Sequence, residues 1–171
     1  LAYSAIAHAG YVLVGIAAGG AEGTGAVLFY LAVYALMNVG AFVLVAHLAG
    51  TGERWTRLED YTGLGYRRPG VAACLTVFML ALGGIPTTGG FFAKFYVFSA
   101  SVHAGLIGLT IVAVVTSVIS IYYYLRLVVV MYMREGETPV AVPPLPWPLR
   151  VALVVSLSLI HISEPTRQAE I

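Results

Sequence analysis

Long apolar segments separated by short polar loops constrain what this chain of 171 residues can fold into. The segments cover 1–18, 26–49, 71–99 and 104–133, and another begins at Trp147 and stays apolar to residue 157. A helix needs about 20 apolar residues to cross a bilayer. Sixty per cent of the residues are hydrophobic and only 10% are charged, which excludes an ordinary soluble domain. The pattern predicts an all-α membrane protein, a multi-pass helical bundle with four spans and the start of a fifth.

The distribution of arginines predicts how this bundle is oriented. Four arginines lie in the loop 51–70 and two in the loop 134–150, whereas the turns 19–25 and 100–103 carry only Glu22 and His103. Loops with an excess of Lys and Arg stay on the cytoplasmic side of a membrane. The two arginine-bearing loops are therefore predicted to be cytoplasmic, and the two turns to face outward.

Composition also excludes several kinds of partner and site. The net charge is +1 and the cationic residues form no basic patch, which argues against nucleic-acid binding and leaves the lipid bilayer as the expected surroundings. The single cysteine, Cys74, lies in an apolar stretch, so neither a disulfide framework nor a cysteine metal site can form. We expect no metal and no cofactor bound by this chain.

The two ends of the sequence predict a fragment. The chain begins with Leu1 and lacks the features of a signal peptide, so we expect residues 1–157 to be part of a longer transmembrane domain. The apolar segment that begins at Trp147 is too short to span a membrane and turns polar near His161. One interpretation is a helix that ends in a polar tail. The interpretation that we favour is that residues 158–171 are not native to the protein.

A cluster of glycines around a proline interrupts the third span at residues 83–90. Pro86 has no amide hydrogen, and the flanking glycines, which include Gly84, Gly89 and Gly90, favour non-helical backbone. Unwound backbone at membrane depth is tolerated where protein or water satisfies its polar groups, and transporters use such breaks as ion-binding sites. We therefore predict one discontinuous helix, made of two half-helices.

The only lysine of the chain, Lys94, follows this break by one turn. An ammonium group at bilayer depth is costly and by default marks an ion path or a proton relay. We expect burial and the positive end of the second half-helix both to disfavour the charge, which favours proton release. Lys94 is the candidate catalytic residue.

Three spans carry polar residues on one face, since these recur at helical spacing. The three sets are Ser4, His8, Tyr11 and Gly15; Tyr30, Tyr34 and Asn38; and Thr110, Ser117, Ser120 and Tyr124. Such faces are compatible with ordinary interhelical packing or with a hydrated interior. Together with Lys94 they favour the second interpretation. Ser4, His8, Tyr34 and Asn38 are the candidates for holding water on a proton path.

Several motifs occur in the order and spacing of a known family. They are LAYSAIAHAGY at 1–11, YLAVYALMNVGAF at 30–42, GIPTTGGFFAKFY at 84–96 and YYYLR at 122–126. Over residues 1–155 the chain closely resembles the C-terminal part of the N subunits of proton-translocating NADH-quinone oxidoreductase, respiratory complex I. The resemblance implies the antiporter-like fold, in which the present spans correspond to helices 10–13 and the last to a shortened helix 14. Lys94 matches the family's lysine at the exit of the proton path.

The resemblance also implies a function and partners. It predicts a subunit that couples quinone reduction to proton movement in the bacterial inner membrane, in contact with other membrane-arm subunits. NADH, FMN, iron-sulphur clusters and quinone would be bound by other subunits, with no redox site on this chain. Two alternatives stay open: a cation/proton antiporter subunit on the same scaffold, and a structural subunit whose polar faces only pack helices.

Overall fold

Helices make up nearly all of the described chain. The computed structural model describes residues 3–50, 57–134 and 144–162, with side chains up to residue 158. The helices are α1 (Ser4–Ala18), α2 (Gly20–Ala49), α3 (Leu64–Arg67), α4 (Pro69–Gly83), α5 (Gly89–His103), α6 (Ile107–Met133) and α7 (Trp147–Ile162), with a 3₁₀ turn at Leu58–Tyr61. No strand occurs among these residues.

The third apolar segment forms two helices instead of one. Both α4 and α5 contain 15 residues, and the five residues 84–88 between them are not helical. At 1.5 Å per residue each helix is about 22 Å long, which is less than the hydrocarbon core of a bilayer. Laid end to end the two helices would reach about 45 Å, which is enough to cross a bilayer with its headgroup regions.

Some helix ends differ from the apolar segments read from the sequence. Helix α2 begins at Gly20 because Gly19 and Gly20 have positive φ angles of 68° and 63°, which let the chain reverse in two residues. Helix α7 continues to Ile162, past residue 157, where we expected the native sequence to end. Residues 163–171 of the expected non-native tail lie outside the described residues.

The bundle is held by close helix packing around α2. Helix α2 packs against α1, α4, α5 and α7, and α4 also packs against α6. Gly40 permits the contact between α2 and α4, since a Cβ at this position would overlap the ring of Phe78. Phe78 is fully buried, as are Met37 and Leu44 of α2. This packing fixes where the helix break lies relative to α1, α2 and α6.

The outer surface of the bundle is apolar. Helices α2 and α6 are each long and apolar enough to cross a membrane, while α1, α4 and the described part of α7 are apolar but shorter. On α6 the exposed side chains include Ile111, Val112, Val118 and Ile119, each more than half exposed. A contiguous apolar surface of this kind is stable in contact with lipid or other protein.

Candidate functional site

The break between α4 and α5 begins with a left-handed glycine cap. Gly84 has φ 79° and ψ 42°, and its N–H donates to the carbonyl of Ala81. The N–H of Ile85 donates to the carbonyl of Leu80 over 3.0 Å, which completes a Schellman motif. Glycine is favoured at Gly84 because an L side chain in this conformation is strained. The sequence therefore ends α4 at this residue through local geometry.

Strained backbone separates this cap from the start of α5. Thr87 has φ 81°, which is a rare conformation for a β-branched residue. The hydroxyl of Thr88 donates to the carbonyl of Ile85 over 2.7 Å, so it does not cap the amides of α5. Strain of this kind persists only where the surrounding structure imposes it, and it concentrates at functional sites.

Gly90 lets the two half-helices touch. A Cβ at Gly90 would overlap the carbonyl of Ala81 and would lie 3.0 Å from the sulfur of Met37. The glycine is thus required by close contact between α5, α4 and α2. We expected glycines here mainly to interrupt the helix, but the structure gives Gly90 a packing role. Gly89 is buried beside it in the first turn of α5.

Lys94 is buried at the break, with 5% of its surface exposed. Its ammonium group donates to the carbonyl of Gly83 over 2.8 Å and to the hydroxyl of Ser117 over 3.0 Å. The Nζ atom also lies 5.2 Å from the centroid of the Tyr11 ring, in cation–π range. Among the described residues no carboxylate lies within ion-pair distance of Lys94. Neutral oxygens and an aromatic face hold this charge.

The expectation that the positive end of α5 disfavours this charge left out an opposite effect of the end of α4. Side chains on a helix point towards its N-terminus, so Lys94 extends back across the break to the C-terminal end of α4. There it meets the carbonyl of Gly83, the last residue of α4. The C-terminal carbonyls of a helix attract a cation. The break therefore supplies a binding place for the ammonium group.

His8 forms a second buried cluster with three tyrosines. Its Nδ1 lies 2.6 Å from the hydroxyl of Tyr30, and its Nε2 lies 3.1 Å from the hydroxyl of Tyr124. The imidazole also stacks on Tyr34, with 4.4 Å between ring centroids. A neutral imidazole has one donor and one acceptor nitrogen, so one of its two hydroxyl partners donates and the other accepts.

Tyr11 connects the lysine and the histidine. Its ring lies under the ammonium of Lys94, and its centroid is 5.8 Å from that of His8. The hydroxyl of Tyr11 is buried without a well-formed hydrogen bond to any described residue, although Ser117 and Ser120 lie near it. Buried hydroxyls usually have a partner, so this one is suited to bind water.

The structure brings together most of the residues that the sequence singled out. Ser4 is buried and interacts with the phenol of Tyr124, while His8 and Tyr34 are stacked. Asn38 is half-buried, and its side chain makes no hydrogen bond to another described residue.

Sequence reasoning missed which residues contact Lys94 and His8. Ser117 accepts from the lysine, and Tyr30 and Tyr124 bind the two histidine nitrogens. Their helical spacing placed them on polar faces, but spacing within one helix cannot show which face meets which.

The described residues offer no group of three or more His, Cys, Asp or Glu side chains that could hold a metal ion. Arg126, a cation within the apolar helix α6, is exposed. Both residues are cationic, and Lys94 differs from Arg126 in being buried. The chemistry that the site supports is proton exchange among an amine, an imidazole and hydroxyls.

The family comparison agrees with the sequence motifs. Residues 1–120 match the family model of the NADH:quinone oxidoreductase/Mrp antiporter transmembrane region. A protein named NADH-quinone oxidoreductase subunit N 1 from Solibacter usitatus is 51% identical over 156 residues, which is 91% of this chain and 32% of that relative. A subunit N 2 from Koribacter versatilis is 55% identical over 157 residues, which is 92% of this chain and 32% of that relative.

A solved structure agrees with the fold. Respiratory complex I from Thermus thermophilus with bound aureothin contains a chain that matches with a TM-score of 0.77 and 35% identity. The match covers 94% of this chain and 36% of that one. The chain thus spans about a third of the length of the relatives that it matches. These matches confirm the predicted helical membrane fold, and the chain belongs to the NADH:quinone oxidoreductase/Mrp antiporter transmembrane family as an integral membrane protein.

Proposed function

We propose that the chain is part of a proton-translocating membrane subunit of an NADH-quinone oxidoreductase, in which Lys94 alternately holds and releases a proton. One observation carries this proposal. A buried ammonium lies at a helix break, bound only by a carbonyl, a hydroxyl and an aromatic face among the described residues. A lysine held for structure would be expected to face a carboxylate, because a buried charge is usually paired.

The geometry supports a simple exchange. When Lys94 is protonated, its ammonium donates to Gly83 and Ser117 and stays near the break. A neutral amine loses the charge-dependent part of its attraction to the helix end and to the Tyr11 ring, so the flexible side chain is held less tightly. Release and movement are then linked. In this proposal quinone reduction elsewhere in the complex drives the change that makes Lys94 give up its proton.

His8 and its neighbours would deliver or accept that proton. His8 is close enough to Lys94 for their charges to interact, and Tyr11 lies between them. Ser4, His8, Tyr34 and Asn38 are proposed to hold water near this path. An imidazole bound by hydroxyls on both nitrogens can take a proton at one and give it up at the other.

The remaining parts of the proposal concern the surroundings of the chain. Other subunits of the complex would bind NADH, FMN, iron-sulphur clusters and quinone, and this chain would bind none of them. Its partners would be the other membrane-arm subunits and the lipid bilayer. The site would lie in a bacterial inner membrane, with loops 51–70 and 134–150 in the cytoplasm, as the arginine excess favours.

A second candidate is a cation/proton antiporter subunit, which the family model supports because it covers both kinds of protein. The two functions differ in what drives transport. The test is to incorporate the full-length subunit and its complex into vesicles and to measure acidification driven by NADH and, separately, by an imposed sodium gradient. NADH-driven acidification supports the proposal. Transport driven only by the sodium gradient would assign the antiporter function instead.

The role of Lys94 is tested in the same vesicles. Lys94→Ala removes the titrating group, and we expect normal assembly of the complex on a native gel with strongly reduced acidification. Arg126→Ala is the matched control, since it removes an exposed cation from α6. A third candidate, a structural subunit, predicts that Lys94→Ala either pumps normally or fails to assemble.

A further inference from the structure

A groove lies between the N-terminal end of α4 and the first turns of α7, away from Lys94. It has a volume of about 460 Å³. Two arginines, Arg68 and Arg150, line it together with apolar side chains that include Val71, Leu153 and Leu157. We call it the arginine groove. No acidic side chain of the described chain lines it.

Hydrogen-bond donors collect at one end of the arginine groove. Arg68 immediately precedes α4, and Gly70 and Val71, in the first turn of α4, also line the groove. No side-chain cap occupies the amides of that turn, and Pro69 contributes no donor. The Nε of Arg150 donates to the carbonyl of Leu145 over 2.9 Å, and both residues line the groove. Two guanidinium groups and a helix N-terminus form a place for an anion.

Aromatic side chains near the arginine groove are of the kind expected at the depth of lipid headgroups. Trp147 at the start of α7 and Tyr66 on α3 are about three-quarters exposed near this end of the bundle. Exposed Trp and Tyr mark the membrane interface. The rest of the groove runs along α4 and α7 past Cys74 towards Leu157, and these residues are apolar. A ligand that fits has an anionic head and a hydrocarbon chain.

We propose that the arginine groove binds an anionic phospholipid, with its phosphodiester between Arg68 and Arg150 and one acyl chain along α4 and α7. Basic pockets between membrane helices are suited to anionic headgroups. A zwitterionic lipid would satisfy the apolar part equally well but would place its ammonium group beside two arginines. The site therefore selects for net negative charge.

The test measures lipid binding to the full-length subunit in detergent by native mass spectrometry. We expect phosphatidylglycerol to bind more tightly than phosphatidylcholine with the same acyl chains. Each arginine should contribute about fivefold to the ratio of phosphatidylglycerol to phosphatidylcholine affinity, so the double variant Arg68→Gln/Arg150→Gln should lose the preference. Arg126→Gln is the matched control, because it removes an exposed arginine that does not line the groove.

Two further measurements separate the acyl chain from the headgroup. Val154→Trp should fill the apolar part of the groove and weaken phosphatidylglycerol binding while both arginines remain. Glycerol 3-phosphate, which has the phosphate without acyl chains, should fail to compete at lipid concentrations. Equal binding of the two lipids, or a double variant that behaves like Arg126→Gln, would refute the site. Competition by glycerol 3-phosphate as strong as by lipid would assign a soluble phosphate instead.

Discussion

Replacing Gly84 with alanine should disturb Lys94 directly. A Cβ at Gly84 would lie 3.0 Å from the Cδ of Lys94 and 3.1 Å from its Nζ. Such contacts are tighter than nine in ten real Cβ contacts, so the end of the lysine side chain must shift by a few tenths of an ångström beside the carbonyl of Gly83. Alanine at φ 79° costs about 1–2 kcal/mol, and weakening the hydrogen bond from Lys94 adds part of the about 1.5–3 kcal/mol that its complete loss would cost. We expect Gly84→Ala to lower the free energy of unfolding by both terms and to reduce proton pumping.

Gly105 provides the matched control for this prediction. It has φ 76°, but a Cβ there would meet nothing within 4 Å. Gly105→Ala therefore carries the backbone strain of Gly84→Ala without its contact to Lys94. Both variants are compared by thermal unfolding in detergent and by NADH-driven acidification of vesicles. If Gly84→Ala pumps as well as Gly105→Ala, the position of the Lys94 ammonium does not matter and the reasoning fails.

Three other predictions test packing, the histidine cluster and orientation. Gly90→Ala should destabilise the chain, since its Cβ would overlap a carbonyl of α4. Gly25→Ala, at an open position on α2, should be neutral or stabilising by up to about 1 kcal/mol. Thermal unfolding compares the two variants, and equal midpoints would contradict the contact at Gly90. Tyr30→Phe should lower the free energy of unfolding by about 1–3 kcal/mol, because it leaves a buried imidazole nitrogen of His8 unpaired. Tyr122→Phe, at an exposed tyrosine, should leave chemical unfolding unchanged. Equal losses of stability in the two variants would argue against the histidine cluster. Glu22→Cys, with the native cysteine replaced, should react with an impermeant thiol reagent from outside intact cells, and labelling only from the cytoplasmic side would reverse the proposed orientation.

The sequence was sufficient to predict the architecture because its signals are local. Apolar length predicts helices, and a proline with glycines predicts a break, which the structure has at residues 84–88. Polar residues at helical spacing predict faces, and Ser4, His8 and Tyr11 are all buried on α1. Each inference needs only neighbouring residues along the chain.

The contacts of the site could not be predicted in this way. Lys94 bonds to Ser117, 23 residues away, and His8 to Tyr124, 116 residues away. The effect of the helix dipole on Lys94 depends on which of two half-helix ends the ammonium reaches. Side chains on a helix point towards its N-terminus, which directs Lys94 from α5 back to the end of α4. Only the packed structure shows that the carbonyl of Gly83 lies 2.8 Å from the ammonium group. The packing role of Gly90 likewise depends on a distant carbonyl.

The central claim is that Lys94 must release its proton, and Lys94→Arg tests it most directly. An arginine keeps the positive charge and can still donate to Gly83 and Ser117, but its guanidinium stays protonated in proteins. The measurement is the ratio of protons moved to quinone reduced in vesicles that contain an assembled Lys94→Arg complex. A relay predicts that this ratio falls well below that of the unmodified complex. An unchanged ratio would show that Lys94 serves only as a fixed charge, which contradicts the proposed function.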